Sequence, residues 1–173
     1  MSLRPQLTLI AAISEDGFIS RGQGVPWDLP RDRIHFRNAT AGKWLLIGRR
    51  TYQEMLGWFQ DHTPLVLTRN TTFVPSVGKA VHNIHEAIDL AAEAHAPELF
   101  VCGGRMVYAD SIPHADRLLI THVKTVLGTG VPFPRFGSPH WHLISKIEHP
   151  ADAENALAIC FATYECQQDK SVE

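Results

Sequence analysis

The sequence lacks the features that mark secreted, membrane-bound and disulfide-stabilised proteins. It has three cysteines in 173 residues, Cys102, Cys160 and Cys166, and no Cys-x-x-Cys pair. An odd number of widely spaced cysteines argues against a disulfide framework and a cysteine zinc site, and it favours a reducing compartment. No apolar run approaches the ~20 residues of a membrane span, and no signal-peptide segment follows Met1. We therefore expect a cytoplasmic protein with no membrane partner.

The sequence also lacks an excess of charge of one sign. Lys and Arg number 16 against 18 Asp and Glu, the formal net charge is −2, and no basic run forms a patch for a polyanion. We therefore expect no nucleic-acid partner. The ten histidines are scattered, and no third ligand follows His82 and His85 at metal spacing, so we expect no metal site.

The composition suits one globular domain. Hydrophobic residues make up 45% and charged residues 20% of the 173 positions, which is enough to bury a sizeable core. We find no internal repeat and no linker. We expect residues 1–173 to form a single domain, with a core at about 7–166 and a polar tail at 167–173. A monomer is the expected state.

Short apolar runs that end in turn residues predict the strands of a mostly parallel sheet. Five such runs alternate with helical patterns, and two alternating segments close the chain as an antiparallel hairpin. The predicted fold class is α/β, a mixed and mostly parallel central sheet flanked by helices, with a C-terminal antiparallel hairpin. The predicted strands are 7–13, 43–48, 64–70, 98–102 and 117–123, and the hairpin strands are 141–147 and 158–166.

A helix that begins at Pro30 carries the most informative carboxylate. Proline is tolerated in the first turn of a helix, and Asp28 is a plausible N-cap for this one. Asp32 falls about one turn into the helix among apolar neighbours, where a pocket would raise its pKa while the helix N-terminus opposes the rise. Such a carboxylate can act as an acid or anchor a cationic ligand. The alternative is that Asp32 lies in solvent.

Three successive predicted strands end in groups suited to phosphate. Backbone N–H groups at a helix start attract phosphate, guanidinium groups clamp it, and paired glycines let the backbone approach it. In a parallel sheet such ends meet at one edge, where nucleotides bind. The groups are Gly48, Arg49, Arg50 and Thr51 after the second strand, Thr68 and Arg69 on the third, and Gly103 and Gly104 after the fourth. The alternative for Arg49 and Arg50 is a pair of solvated turn residues.

These motifs resemble those of the dihydrofolate reductase family over about residues 7–166. The motifs are Trp-x-Leu-Pro-x-Asp at Trp27 to Asp32, Gly-Arg-x-Thr at Gly48 to Thr51, Gly-Gly-x-x-x-Tyr at Gly103 to Tyr108, and the strand Ile120-Thr121-His122. The resemblance implies an oxidoreductase of tetrahydrofolate biosynthesis and one-carbon metabolism. It would reduce 7,8-dihydrofolate to tetrahydrofolate with NADPH as its cofactor.

The resemblance also implies the roles of individual residues. Asp32 would hold the amidine-like edge of the pterin and assist its protonation, with Thr121 bonded to Asp32 and Trp27 ordering a nearby water. A carboxylate suits that edge because it accepts two parallel N–H bonds. The other expected substrate-binding residues are Ile10, Phe36, Arg37, Met55 and His62. The expected NADPH-binding residues are Ala12, Phe18, Ile19, Gly24, Gly48, Arg49, Arg50, Thr51, Thr68, Arg69, His82, Cys102, Gly103, Gly104, Arg105, Met106, Val107 and Tyr108.

Three positions depart from the family pattern. A Gly-containing loop at 18–26 is a candidate lid, but the segment 128–134 lacks the acidic residue expected to tie it down, and Ser20 replaces a frequent glycine. Both changes predict a poorly held lid. His62 stands where the family has an arginine for the carboxylate of the folate tail. It predicts a weak clamp that strengthens towards about pH 6, unless Arg33 or Arg37 supplies the charge.

Two other functions remain open from the sequence. A related NADPH-dependent reductase could act on a different pterin or on a riboflavin-pathway pyrimidine, although the motif at Trp27 to Asp32 favours a pterin. A non-catalytic nucleotide-binding module would bind NADPH without oxidising it when dihydrofolate is added. Turnover with dihydrofolate distinguishes these possibilities.

Overall fold

A computed structural model of the chain describes residues 3–137 and 139–167, so the predicted polar tail lies outside the described residues apart from Gln167. The strands are β1 Gln6–Ser14, β2 Phe18–Ser20, β3 Trp44–Gly48, β4 Thr63–Leu67, β5 Lys79–Val81, β6 Glu98–Val101, β7 Arg117–Val123, β8 Val131–Pro132, β9 Trp141–His149 and β10 Ile159–Cys166. The helices are α1 Pro30–Thr40, α2 Arg49–Glu54, α3 Ile84–Glu93 and α4 Arg105–Ser111, with a 3-10 helix at Ile112–His114. Within the described ranges, no helix combines the length and apolar character needed to cross a membrane.

Eight strands form one mixed sheet in the order β5-β4-β3-β6-β1-β7-β10-β9. The pairs from β5 to β7 are all parallel, and both pairs of β10 are antiparallel. The predicted fold class, with its C-terminal hairpin, is therefore confirmed. β1 is central because it is apolar on both faces: Leu9 packs in the larger core cluster, and the next residue, Ile10, packs in a different one.

α3 packs against the sheet, as its apolar spacing predicts. Its buried residues are Ile84, Ala87, Ile88 and Ala91. The side chain of Asn83 caps the helix by accepting the Glu86 N–H at 2.9 Å, and the Glu86 carboxylate accepts the His82 N–H at 2.7 Å. These two bonds hold the turn between β5 and α3.

α1 begins at Pro30 as predicted, but the prediction that Asp28 caps it is wrong. The N-cap residue is Leu29, and no side chain makes a hydrogen bond at that cap. The side chain of Asp28 is 82% exposed and pairs with Arg33. Asp28 is therefore a surface carboxylate.

A distant loop supplies the polar partner that α1 needs at its start. The Arg31 N–H donates to Asn155 Oδ1 at 3.0 Å across 124 residues of sequence. Asn155 is buried, and Asp152 holds it by accepting both its backbone N–H and its side-chain amide. Arg31 also forms an ion pair with Asp152 at 2.6 Å. Because the first N–H groups of a helix have no partner inside it, this loop replaces a local cap.

β2 and β8 form a small antiparallel sheet that the sequence did not predict. Phe18 lies opposite Pro132, and Ser20 lies opposite Val131. The close approach requires Gly130, because a Cβ at that position would lie 2.3 Å from the carbonyl oxygen of Ser20. The candidate lid is therefore paired, at its start, with a segment more than a hundred residues further along the chain.

An ionic cluster closes the amino-terminal edge of the parallel strands. Glu98 Oε1 accepts hydrogen bonds from Thr8 Oγ1 at 2.7 Å and from the guanidinium of Arg117. Lys43 Nζ lies 3.6 Å from the other carboxylate oxygen. Glu98 is only 8% exposed, and these partners offset the cost of burying its charge. The cluster joins the amino-terminal parts of β1, β3, β6 and β7.

Candidate active site

A cavity of about 1050 Å³ opens at the carboxyl edge of the parallel strands, where β3, β4 and β6 end. All residues expected to bind NADPH except Phe18 line it. Phe18 instead lies opposite Pro132 in the β2–β8 pair, while the following residues Ile19 and Ser20 reach the cavity. The expectation for Phe18 is thus corrected, because only tertiary pairing decides which residues of the lid face inwards.

Further residues line the cavity beside those expected to bind NADPH. They are Ala11, Ser20, Gly22, Val25, Glu54, Leu67, Asn83, Ile84, Asp110 and Val131. Ser20 and Gly22 lie in the loop 18–24, which the family resemblance as a whole already implied for the NADPH site, and Val25 directly follows that loop. Val131 comes from β8, for which the sequence carries no local signal.

Three arginines reach the cavity from two neighbouring strand ends. Arg49 and Arg50 begin α2 directly after β3, and Arg69 follows β4. Arg50 also lies 3.6 Å from Glu54 and donates to the carbonyl of Gly22 at 3.3 Å, so it holds the candidate lid as well. All three are exposed to solvent at the rim, where a phosphate group can meet them.

The turns after β3 and β6 touch each other through their backbones. Gly48 donates its N–H to the carbonyl of Gly103 at 2.7 Å. Gly103 has a φ of +114°, and a Cβ on Gly48 would lie 3.2 Å from the Val107 side chain and 3.5 Å from the Gly104 nitrogen. Glycine therefore leaves this part of the cavity lined by backbone, which a ligand can approach closely.

Two buried side chains connect this edge with the core. The hydroxyl of Tyr108 donates to the carbonyl of Ile10 at 2.7 Å and so ties α4 to β1. Burial raises the pKa of the Cys102 thiol well above its usual range, so Cys102 remains a thiol and packs as an apolar side chain.

Asp32 lies on α1 against β7, and Thr121 Oγ1 donates to its Oδ1 at 2.6 Å. Burial raises the pKa of Asp32 above its usual value, while the bond from Thr121 and the nearby ring of His35 act in the opposite direction. No donor from the described part of the chain is bonded to Oδ2. The carboxylate is therefore half-buried, with one oxygen held by Thr121 and the other available to a ligand.

The indole N–H of Trp27 is buried without an acceptor among residues 3–137 and 139–167. The ring packs with Leu29, Val123 and Ile159, and Ala12 contributes both to this cluster and to the cavity wall. A buried donor without a partner is costly. The indole is therefore suited to bond a water molecule or a ligand beside the cavity.

His62 is placed differently from the sequence expectation. Its side chain is 2% exposed, its Nδ1 accepts the Gln60 N–H at 3.2 Å, and its Nε2 lies 3.4 Å from Thr40 Oγ1. Burial lowers the pKa of His62, although Asp61 acts in the opposite direction. The ring stacks on Trp58 at a centroid distance of 4.5 Å. This placement corrects the prediction: His62 supports Trp58 and does not offer its charge to a ligand.

Arg37 provides the accessible cation in this region. Its guanidinium carbon lies 5.1 Å from the centroid of the Trp58 ring, and Phe36 lies 5.2 Å from the same ring. Ile10 and Phe36 belong to one apolar cluster, as expected for the walls of a substrate pocket. Trp58 and Phe59 also lie in this region, although neither was expected there from the sequence. Phe59 packs against both the Ile10–Phe36 cluster and the cluster that contains Met55.

A cavity of about 1050 Å³ at the carboxyl edge of a parallel sheet, lined by arginines and glycine turns, together with a half-buried carboxylate bonded to Thr121, is the arrangement of an oxidoreductase that uses a nicotinamide nucleotide. The family model described as Dihydrofolate reductase matches residues 6–166, and the chain belongs to the dihydrofolate reductase family. Dihydrofolate reductases are NADPH-dependent oxidoreductases, and the chain is an enzyme of this kind. No three His, Cys, Asp or Glu side chains of the described residues are grouped as metal ligands.

Individual relatives agree with the family match. The chain is 30% identical to a dihydrofolate reductase type 3 of Salmonella typhimurium over 162 residues, which cover 94% of this chain and 99% of that protein. It is 26% identical to a Bacillus subtilis dihydrofolate reductase, over 92% of this chain and 94% of that one. The solved structure of Enterococcus faecalis dihydrofolate reductase with NADP(H) and RAB-propyl is similar at a TM-score of 0.85 and 26% identity, covering 96% and 100% of the two chains.

Proposed function

We propose that the protein reduces 7,8-dihydrofolate to tetrahydrofolate with NADPH, and that Asp32 anchors the pterin and assists its protonation. The observation that carries this proposal is the half-buried carboxylate of Asp32, whose Oδ1 accepts the Thr121 hydroxyl at 2.6 Å while Oδ2 has no donor among the described residues. A carboxylate accepts two parallel N–H bonds from an N–C–N edge, and the pterin ring offers such an edge. Trp27, whose buried indole N–H has no acceptor among the described residues, is assigned to a water molecule near the ring.

The lining of the large cavity fits NADPH, which supplies a hydride when it is bound. Arg49, Arg50 and Arg69 bring positive charge to one side of the cavity, and the glycine turns leave backbone exposed on another. The protein's own contribution is to orient the two ligands, exclude water and manage the proton. Burial raises the pKa of Asp32, and this direction suits the last task, because it favours the protonated form that can donate a proton.

The direct test is an absorbance assay at the NADPH band. Addition of dihydrofolate should cause oxidation of NADPH in proportion to the protein concentration. Binding of NADPH without its oxidation would favour a non-catalytic nucleotide-binding module. Oxidation with a ribosylaminouracil substrate and none with dihydrofolate would favour a riboflavin-pathway reductase.

The substrate tail is assigned to Arg37. The guanidinium over Trp58 is permanently charged and exposed, whereas the buried ring of His62 is neutral and has both nitrogens engaged. Because burial lowers the pKa of His62, its protonation occurs below the ordinary histidine range. The KM for dihydrofolate should therefore show no improvement at about pH 6 that depends on His62.

Arg37→Ala should raise the KM for dihydrofolate severalfold, because a charge-assisted contact with the carboxylate of the tail is lost. The KM for a dihydropterin without the glutamate should stay unchanged. The matched control is Arg33→Ala, which removes the same charge from the same helix at a residue paired with Asp28. The assignment of Arg37 to the tail would be contradicted if both substitutions raised the KM for dihydrofolate equally. It would also be contradicted if Arg37→Ala raised the KM for both substrates equally.

We expect the enzyme to act as a monomer in the cytoplasm. Light scattering after size-exclusion chromatography, at concentrations used in the assay, should give a mass near 19.3 kDa.

A further inference from the structure

His35 is a half-buried histidine on α1, about one turn beyond Asp32. Residues three apart on a helix are neighbours on its surface, so the imidazole lies beside the carboxylate that is assigned to the pterin. The ring stacks on Phe161 of β10 at a centroid distance of 4.0 Å and an interplanar angle of 21°. This stack holds the ring against the sheet, because the two flat faces bury each other.

Phe161 connects His35 with the residue that holds Asp32. In the antiparallel pairing of β10 with β7, Phe161 lies opposite Thr121. Thr121 in turn donates its hydroxyl to Asp32 Oδ1 at 2.6 Å. The helix, the stack and the strand pair therefore form a closed set of contacts around Asp32 and His35. The fold thus fixes the separation of these two ionisable groups.

A second histidine approaches the same aromatic ring from β9. His149 is half-buried, and the centroid of its ring lies 5.2 Å from that of Phe161 at an interplanar angle of 66°. It opposes the protonation of His35, because neighbouring imidazolium groups repel each other. The other ionisable groups near the pair are the exposed Arg33 on α1 and the buried Tyr108 on α4. The tyrosine stays neutral, since burial raises its pKa well above the usual range.

The electrostatic effects of His35 and Asp32 on each other are reciprocal. Burial lowers the pKa of His35, the negative charge of Asp32 raises it, and His149 lowers it further. Burial raises the pKa of Asp32, while the bond from Thr121 and the charge of His35 act in the opposite direction. Burial therefore brings the two pKa values closer together. Groups that interact in this way lose their protons in steps that belong to the pair.

We propose that His35 is a positioning residue of the pterin site, which sets the protonation of Asp32 through its own charge while Phe161 holds its ring. As an imidazolium it favours the Asp32 carboxylate, and as a neutral ring it lets Asp32 keep its proton. His35 thereby limits the pH range in which Asp32 can donate a proton, and His149 widens this range by opposing the imidazolium. The reaction that Asp32 serves is that of the proposed function, on which the inference rests.

The first test is the pH profile of kcat/KM for dihydrofolate in His35→Phe and His35→Gln. Phenylalanine keeps a flat ring against Phe161, glutamine keeps polarity without the ring, and both lack the imidazole charge. In both variants the descending limb, where kcat/KM falls with rising pH, should move to higher pH. At a fixed pH on that limb, kcat/KM relative to its low-pH plateau should be about threefold or more above that of the unaltered protein.

His142→Phe is the matched control, because His142 is an exposed histidine at the opposite end of β9 from His149. It should leave the descending limb unchanged. His149→Phe should move the limb to lower pH, opposite to the His35 variants, because His35 then protonates more readily. If His149→Phe behaves like His142→Phe, His149 has no part in the site.

Two outcomes of the pH profiles would overturn the inference. One is a descending limb that stays in place in both His35 variants. The other is a limb that moves in only one of them, because changed packing or changed hydration of the pocket then explains the movement, and the loss of charge that the two variants share does not.

The histidine resonances in NMR spectra test the coupling without relying on turnover. In the unaltered protein, the Cε1 proton of His35 should titrate in two steps, one of which follows Asp32. Asp32→Asn removes the negative charge, so the pKa of His35 should fall and the step that follows Asp32 should vanish. Asp28→Asn alters an exposed carboxylate that pairs with Arg33, and it should leave the titration unchanged. Identical His35 titrations in Asp32→Asn and Asp28→Asn would overturn the inference.

Failure of this inference is distinguishable from failure of the proposed function. If the unaltered protein oxidises NADPH with dihydrofolate and both His35 variants behave like His142→Phe, the proposed function stands and His35 has no positioning role. If the unaltered protein does not oxidise NADPH with dihydrofolate, the proposed function fails. The His35 resonances then still decide whether His35 acts on Asp32.

Discussion

Asp32→Asn is expected to lower turnover with dihydrofolate by about 10²-fold or more, because proton transfer by a positioned side chain contributes about 10² to 10⁴-fold. Asparagine has a similar size, and its amide oxygen can still accept the bond from Thr121. It cannot carry the charge or deliver the proton. The measurement is steady-state turnover at saturating NADPH, with a single-turnover experiment to separate the chemical step from product release.

Asp28→Asn is the control, since Asp28 is a nearby carboxylate that is exposed and does not cap α1. Turnover should be unchanged. The free energy of unfolding should change by about 1 kcal/mol at most, as is usual for a surface ion pair. If both substitutions lower turnover equally, Asp32 is not the pterin anchor.

The direction in which kcat/KM and the stability change with pH follows from the raised pKa of Asp32. Because the folded-state pKa of Asp32 is raised, the protonated carboxyl is lost as pH rises through that raised value, and kcat/KM should fall in the same range. The folded protein then holds the Asp32 proton more tightly than the unfolded chain, so the associated stability is present at low pH and lost as pH rises. At neutral pH, Asp32→Asn should therefore be at least as stable as the unaltered protein, which a thermal melt would check.

The second large effect concerns the cofactor. NADPH should be preferred over NADH by at least about tenfold in KM, since charge-assisted bonds from guanidinium groups contribute about 1.5 to 3 kcal/mol each before screening. The double variant Arg49→Ala with Arg69→Ala should lose most of this preference. Its KM for NADPH should rise, while its KM for NADH, which has no 2′-phosphate, should change little.

Two comparisons make the cofactor experiment specific. Arg135→Ala removes one positive charge at an exposed residue that does not line the cavity, and it should leave the ratio unchanged. Arg50→Ala should weaken the binding of both NADPH and NADH, because Arg50 also holds the lid at the carbonyl of Gly22. If the ratio of the KM values for NADPH and NADH is the same in the double variant as in the unaltered protein, Arg49 and Arg69 do not bind the 2′-phosphate.

Much of the fold was predictable because the main strands are locally apolar. The runs that became β1, β3, β4, β6 and β7 are buried on both faces, so composition alone identifies them. The hairpin of β9 and β10 followed from alternation. The shortest strands could not be predicted: β2, β5 and β8 have three, three and two residues, and their pairing partners decide their existence.

The site residues also differ in whether the local sequence predicts them. Asp32 and Thr121 were predicted from a local motif and a strand, and the structure joins them across 89 residues. The role of Asn155 at the start of α1 depends on a partner more than a hundred residues away, for which no local pattern exists. The expectation for His62 was wrong because its alignment with an arginine of the family says nothing about burial, which Trp58 and Thr40 determine.

The two ends of the central sheet have different roles. The Glu98 cluster stabilises one end, and the cofactor cavity lies at the other. Thr8, Lys43, Glu98 and Arg117 join the ends of the strands opposite to the NADPH cavity and are not among the residues that line it. Substitutions at that end act on the folded population and leave the geometry of each folded molecule unchanged. The preference for NADPH over NADH and the thermal stability can therefore change independently in descendants of this sequence, because different residues determine them.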